Sequence, residues 1–516
     1  MAATYASPAA QPIPLQGGML IVAALLLAGG NFMVVLDMTI ANVSVPNIAG
    51  GLAVSPNQGT WVITSYSVAE AIMVPLTGWL AGRFGAVRIF VIGILGFGVC
   101  SALCGLAPSL GMLVLFRVMQ GLCGGPIMPM SQTLMMRIFP PQMRGQAMGI
   151  WAMTTVTAPI AGPILGGTLC DTAGWPWVFY INVPVAMICG FFAWSLLTSQ
   201  ETPTERRRVD FTGLGLLIVF VGALQIMLDK GQELDWFGSP VIVGLAIVSA
   251  LGFAAFIIWE LTDDSPIVDL KIFRHRGFTG AVLTIGITFG TFFASIVLVP
   301  LWLQTNMGYT ATWAGYTTAF GGVLAVVMSP IVPILMQRID ARALVSFGVG
   351  GLGLVALWRT QLASNADFWT VALTFLVQGA FMAFFFVPTT QIALSSVLPQ
   401  ETASAAGLSN FLRTTSAAFC ASVVTTMWNN AASRNHSDIA GALNNPTGVQ
   451  ATLMHAGLSS NAALNQLDNI AQSQAVMLGT DQMFMIMAVA FGLAACMVWL
   501  APKPKLNMGG PPGGGH

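Results

Sequence analysis

Apolar runs of about twenty residues recur along this chain from one end to the other, separated by short polar loops. At about 1.5 Å per helical residue, such a run crosses a hydrocarbon core of about 30 Å. The pattern predicts an all-α membrane protein with fourteen spans near 19–42, 59–80, 87–107, 110–136, 146–169, 177–198, 211–229, 239–260, 277–303, 312–336, 342–361, 368–396, 402–428 and 481–501. Within the second of these, Thr60, Thr64, Ser67, Glu70 and Thr77 fall on one helical stripe, which suits water or a partner helix rather than lipid.

Charge sharpens this picture. Only 7% of residues are Asp, Glu, Lys or Arg against 55% hydrophobic, and most of the charge lies in the loops. With the N-terminus inside, the cytoplasmic loops and tail receive Arg83, Arg88, Arg137, Arg144, Arg206, Arg207, Arg208, Lys271, Arg274, Arg276, Arg338, Arg342, Lys503 and Lys505, and the outside only Lys230, Arg359 and Arg434. Basic residues resist translocation, so both termini of this multi-pass membrane protein are expected in the cytoplasm. No Lys or Arg precedes the first run and no cleavage site is evident, so 19–42 reads as a retained span. The formal net charge is zero, which offers nothing to a nucleic acid. The seven cysteines lack ligand-like spacing and read as small packing residues, and no metal or cofactor is expected.

The two halves of the chain echo each other. Gln120-Gly121 followed by Pro129 and Gln132 resembles Gln378-Gly379 followed by Pro388 and Gln391. The loops that follow repeat at equal spacing, Pro141-Gln142 leading to Ala147 and Gly149, and Pro399-Gln400 to Ala405 and Gly407. Thr60-Trp61 with Arg83 and Arg88 is matched by Thr312-Trp313 with Arg338 and Arg342. An offset of eight spans means parallel repeats of six with two spans inserted between them. The expected division is a cytoplasmic N-terminus 1–18, a six-helix half 19–198, a linker 199–210, inserted helices 211–260, a linker 261–276, a second half 277–501 with an outer loop 429–480, and a disordered tail 502–516. Parallel halves with a site between them near the midplane are the layout of major facilitator transporters.

The motifs agree with that layout. Leu36-Asp37-Met38-Thr39-Ile40-Ala41-Asn42, Gly59-Thr60-Trp61-Val62-Ile63-Thr64-Ser65, Gly78-Trp79-Leu80-Ala81, Arg117 with Gln120-Gly121, Gly162-Pro163-Ile164-Leu165-Gly166-Gly167, Trp175-Pro176-Trp177, Ile181-Asn182-Val183-Pro184, Leu224 to Asp229 and Leu408-Ser409-Asn410-Phe411 with Arg413 are present. On these the chain resembles the fourteen-span drug:proton antiporter branch of the major facilitator superfamily, and within it the Emr-type inner-membrane pumps. Where the family's cytoplasmic loop usually carries an acid after its Gly-x-Leu-Ala entry, this chain has Gly82, although Gly78, Arg83 and Arg88 remain. The resemblance implies export of hydrophobic small molecules driven by the proton gradient, with a periplasmic adaptor protein and an outer-membrane channel as partners. It also implies roles for Asp37 and Arg117 in proton coupling, and a sealing and rocking role for Gly162, Pro163, Gly166 and Gly167.

The residues themselves carry part of that chemistry. A bare carboxylate in hydrocarbon costs about 2.5–3.5 kcal/mol even on insertion scales, so Asp37 and Glu70 are candidate proton carriers or structural hydrogen-bonding groups. Arg117 must find a carboxylate, water or carbonyls. Asn42, Thr64, Gln120, Gln378, Phe385, Asn410 and Arg413 are candidates for the substrate cavity or for gating. Abundant Met and Phe suit many hydrophobic ligands. A dedicated exporter of one metabolite or fatty acid is the alternative within transport. A membrane enzyme would need a nucleotide loop, a metal cluster or a nucleophile with its base, and none is found; a membrane sensor or scaffold would show no substrate flux.

Overall fold

The computed structural model describes residues 15–502 apart from 206–207, 365, 443–445 and 456–457. The start of the chain, Arg206, Arg207 and the tail with Lys503 and Lys505 lie outside the described residues. The first half comprises α1 (Gly17–Gly51), α2 (Trp61–Met73), α3 (Thr77–Phe84), α4 (Ala86–Gly105), α5 (Leu110–Gly124), α6 (Ile127–Ile138), α7 (Arg144–Thr172) and α8 (Asn182–Leu197). An inserted pair follows, α9 (Phe211–Lys230) and α10 (Pro240–Thr262). The second half is α11 (Arg276–Asn306), α12 (Ala311–Met328), α13 (Ala341–Arg359), α14 (Phe368–Ser395), α15 (Thr402–Ala442), α16 (Pro446–His455) and α17 (Ser460–Met497).

Local chemistry accounts for these boundaries. Ser109, Asp210, Thr310 and Asp367 each accept a backbone N–H of the first turn that follows, capping α5, α9, α12 and α14. Proline, which lacks an N–H and clashes with the preceding turn, divides two spans: Pro75 lies between α2 and α3, and Pro126 between α5 and α6. Pro330 likewise separates α12 from a short helix, Ile331–Leu335. Among the described residues eleven helices are long and apolar enough to cross a membrane, or twelve if 141–159 and 161–172, bent by 43°, form one span. The remaining two predicted spans fall on the divided pair α2–α3 and on α15, whose first turns hold Ser, Thr, Asn and Arg413.

The sequence echo is also an echo of packing. In the first half α1 lies along α7, α2 along α5, and α4 along α8. In the second, α11 lies along α15, α12 along α14, and α13 along α17. Helices α9 and α10 pack on each other, and α9 also touches α2 and α15, so the inserted pair bridges one side of the seam between the halves. Apolar side chains such as Phe191, Ile247, Leu251, Leu354 and Val489 are left on the outer faces, where a bilayer would cover them.

Over 429–480, read above as an outer loop, the chain is mostly helical. Helix α15 continues to Ala442 and α17 begins at Ser460, and the two run side by side beyond the body. Trp428 Nε1 donates to Thr480 at 2.9 Å, Asn435 to the Ala475 carbonyl at 3.3 Å, and His436 contacts Asp468 at 2.9 Å.

The tightest crossing within one half joins α14 to α12. A methyl group added to Gly379 would sit 1.8 Å from the Gly321 carbonyl oxygen and 2.8 Å from its carbon. Backbone atoms cannot rotate away, so Gly379→Ala is expected to cost at least the ~1–3 kcal/mol of an overpacked core. A lowered thermal-aggregation midpoint in detergent would show this; an unchanged midpoint would mean that the crossing can open freely.

Candidate functional site

Two buried charges organise the first half. Asp37 of α1 is fully buried, and it accepts three hydrogen bonds: from Arg117 Nη1 of α5 at 2.6 Å, from Gln120 Nε2 at 3.1 Å and from Asn182 Nδ2 of α8 at 2.7 Å. Three donors facing one carboxyl group suit its ionised form. Arg117, also fully buried, donates from Nε to the Val62 carbonyl at 3.0 Å and from Nη1 to Gln120 at 2.9 Å. Its guanidinium lies 4.2 Å from the Tyr66 ring centroid. One ion pair thus ties α1, α2, α5 and α8 together.

Beside this cluster, between the two halves, lies a cavity of about 430 Å³, within the ordinary range of small-molecule sites. Its wall includes Asn42, Glu70, Arg117, Gln378 and Arg413 among the candidates, together with Met38, Phe289, Phe292, Phe293, Phe375 and Met382. Glu70 is 5% exposed, and the hydrogen bonds and ion pairs of the described residues include none to its carboxyl group. Of the residues read as candidates for the cavity or for gating, Thr64, Gln120, Phe385 and Asn410 lie outside the cavity wall. Thr64 is buried against α9, Gln120 is spent on Asp37 and Arg117, and Phe385 is fully buried in the core against Phe386.

Asn410 belongs instead to the layer that closes the cavity at the end bearing the basic loops. Its Nδ2 donates across the seam to Gln132 at 2.8 Å, and Arg413 Nη2 meets the sulfur of Met128. The Arg413 guanidinium is ringed by Trp151, Phe289 and Phe386 at 5.2–5.6 Å. Below that layer the halves touch through glycines. Added methyl groups would stand 2.6 Å from Ser404 Cα at Gly78, 2.8 Å from the Val74 carbonyl at Gly407, and 3.0 Å from the Ser329 carbonyl at Gly149. This is the state in which the basic-loop end is shut.

The loop beyond Gly78 obtains its acid from elsewhere. Glu201, in the stretch after α8, accepts the backbone N–H groups of Val87 at 2.9 Å and Arg88 at 3.1 Å, at the N-terminus of α4. Arg83 rests on the rings of Trp79 and Phe84. At the matching end of the second half Glu401 joins Arg274 at 2.7 Å and His275 at 2.9 Å. Burial pushes the Glu401 carboxyl upward, but the hydrogen bonds from the Leu398 N–H and His275, with the Arg274 guanidinium, outweigh it and hold the group below its ordinary range. In the glycine-proline motif, a methyl group at Gly162 would lie 2.6 Å from Thr39 Cβ, and one at Gly166 3.2 Å from the Ile40 carbonyl, so these two bring α7 against α1. Pro163 faces Gly315 across the seam, and Gly167 meets open space.

Several contributors were not singled out from sequence. Asn182 stands in a quoted motif, but at an apparent span end, where an Asn reads as a loop residue. Asp229 and Gln225 of the inserted helix reach the cavity wall, so Asp37 and Glu70 are not the only intramembrane acids. Arg359 and Lys230, assigned above to outer loops, are 2% and 7% exposed. The signal for Arg359 was its place within the predicted span 342–361. Among the described residues no group of His, Cys, Asp or Glu is placed to hold a metal.

Comparison with known proteins agrees with this geometry. The sequence profile described as Major Facilitator Superfamily matches residues 27–421. The chain is 42% identical to the multidrug export protein EmrB of Escherichia coli (strain K12) over 98% of its own length and 100% of that protein's. It is 41% identical to the fatty acid resistance protein FarB of Neisseria gonorrhoeae, over 98% and 99%. Its fold is similar to that of the human organic anion transporter MFSD10, with a TM-score of 0.57 at 14% identity over 94% of this chain and 100% of that one. The proton:xylose symporter XylE gives 0.55 at 13% over 94% and 96%.

Removing one partner of a buried ion pair costs about 3–5 kcal/mol, because the other is left uncompensated. Asp37→Leu and Arg117→Met are each expected to lower thermal stability in detergent strongly, and the double variant to regain much of the loss. Additive losses would show that the two groups are not coupled.

Proposed function

The chain belongs to the major facilitator superfamily, and from that premise we propose that this transporter exports hydrophobic or amphipathic toxic compounds across the bacterial inner membrane in exchange for protons. One observation carries the reading: an aromatic- and methionine-lined cavity between the halves has in its wall a carboxyl, Glu70, with no hydrogen-bond or ion-pair partner among the described residues, and beside it the buried ion pair Asp37–Arg117. The apolar wall gives compounds of many shapes a place to bury surface. Full-length similarity to EmrB and FarB supports an exporter of such compounds.

Glu70 and Asp37 divide the labour of coupling. In the state with the basic-loop end shut, Asp37 is satisfied as a carboxylate by its three donors, whereas Glu70 faces the cavity and takes up a proton from it. Rocking of the halves breaks the Asn410–Gln132 layer and opens the cavity to the other side, where the proton leaves and substrate enters. One charge moving through 100 mV releases about 2.3 kcal/mol, enough for a roughly fortyfold substrate gradient at about 1.4 kcal/mol per decade. The orientation follows from the loop charges, with both termini cytoplasmic. The α15–α17 hairpin then projects into the periplasm, where it would meet an adaptor protein leading to an outer-membrane channel. A second reading, export dedicated to fatty acids, is favoured by the likeness to FarB.

Drug-induced proton release from energised inverted vesicles tests the proposal. Release by several unrelated compounds, lost in both Asp37→Asn and Glu70→Gln, is the expected result. Release confined to fatty acids would favour the second reading, and release that survives in both variants would remove these acids from the coupling path. Cross-linking Gln132→Cys to Asn410→Cys with a short bifunctional reagent is expected to stop export, since this layer must part in every cycle; undiminished export by the cross-linked protein would refute that.

A further inference from the structure

The second half contains a counterpart of the Asp37–Arg117 cluster in which the negative charge is missing. Arg359, at the end of α13, is 2% exposed and donates from Nε to Thr374 at 2.9 Å, from Nη1 to Ser295 at 2.7 Å and from Nη2 to Gln378 at 2.6 Å. Its guanidinium lies 4.2 Å from the Phe375 ring centroid, as that of Arg117 does from Tyr66. Gln378 takes the part of Gln120, which the sequence echo already pairs with it. Ser295 of α11 receives the Nη1 bond that Asp37 of α1 receives in the first half. Every hydrogen-bond partner of Arg359 is neutral, and among the described residues it forms no ion pair.

A guanidinium buried in this way has surrendered its hydration without gaining a counter-charge, an arrangement that in membrane proteins marks a ligand path more often than a clamp. The cavity is one residue away. Gln378 and Phe375 both stand in its wall, so a ligand that displaces the Gln378 oxygen reaches Arg359 directly. The exchange is favourable for an anion, since a hydrogen bond to a charged acceptor is about twice as strong as one to a neutral amide. A neutral or cationic ligand gains nothing by it.

We propose that Arg359, reached through Gln378, is the head-group subsite for anionic amphiphiles, compounds with a carboxylate on an apolar body that occupies the adjoining cavity. This rests on the export reading and adds to it a division of the cavity by charge. The matching variants are Arg359→Gln, which deletes the cation, and Gln378→Glu, which supplies a resident counter-ion and makes the second cluster like the first. Because the second variant neutralises a buried charge, it keeps the test open if the first fails to fold.

The experiment is equilibrium binding to the purified full chain in nanodiscs, using three probes with one aromatic body: 2-naphthoate, 2-naphthamide and trimethyl-2-naphthylammonium. The native chain is expected to bind the carboxylate; Arg359→Gln, outside the cavity wall, is expected to weaken it at least tenfold while holding the amide and the ammonium within twofold, and Gln378→Glu to lower the carboxylate-to-amide affinity ratio at least tenfold. Equal weakening of all three would make Arg359 a structural residue and overturn the proposal. So would carboxylate binding that is unchanged in the variants, or a native chain that binds only the amide and the ammonium; in that last case the export reading stands. A native chain that binds none of the three counts against the export cavity itself, and the subsite falls with it.

Discussion

The cost of holding charge away from water governs this molecule. Asp37 and Arg117 are fully buried, and neither is tolerable there alone. Their pairing demands Gln120 and Asn182 for the remaining oxygen, the Val62 carbonyl for Nε, and the face of Tyr66 for the guanidinium plane. Those demands fix the relative positions of α1, α2, α5 and α8 in a medium where apolar contacts alone give little direction, because lipid is as apolar as leucine. One side of the cavity wall, including Met38, Asn42, Glu70 and Arg117, belongs to that fixed unit.

The two halves share a helical plan and differ in what the plan is used for. Helices pair in the same order in each, and each carries a buried arginine at a glutamine of the fourth span, with an aromatic ring at 4.2 Å. In the first half the arginine is paired with a carboxylate, and in the second its hydrogen-bond partners among the described residues are all neutral. A repeat that duplicated the chemistry as well as the architecture would have produced two equivalent sites. Here Ser295 accepts the Nη1 bond that Asp37 accepts in the first half, so the two clusters differ in charge.

Much of this was legible in the sequence, because long apolar runs and isolated polar residues within them report directly on the bilayer. The spans, the parallel repeat, and the separation of Asp37, Glu70, Arg117 and Arg413 from the loop charges all follow from hydropathy and spacing. What could not be read was which polar residues share a neighbourhood. Gln120 and Asn410 belong to a pair and a seam rather than to the cavity, and Phe385 to the core, because depth along a helix says nothing about which way its neighbours lie. Arg359 and Lys230 lie near helix ends, where a one-turn error in a boundary converts a buried charge into a loop charge. The stretch 429–480 is polar on average, and average polarity hides the Ala-rich faces along which α15 and α17 pack.

The glycines at the shut end have a mechanical meaning. Gly78, Gly149 and Gly407 place backbone against backbone or small side chain, with no long side chain to stretch as the halves part. Dispersion between such surfaces is forfeited by a quarter to a half within a gap of about 0.5–1 Å. The glycine contacts therefore lose their adhesion over a short distance once the halves begin to part. A transporter built on such contacts behaves as a toggle rather than a spring, with little population between shut and open, and so few moments in which both mouths could leak protons together.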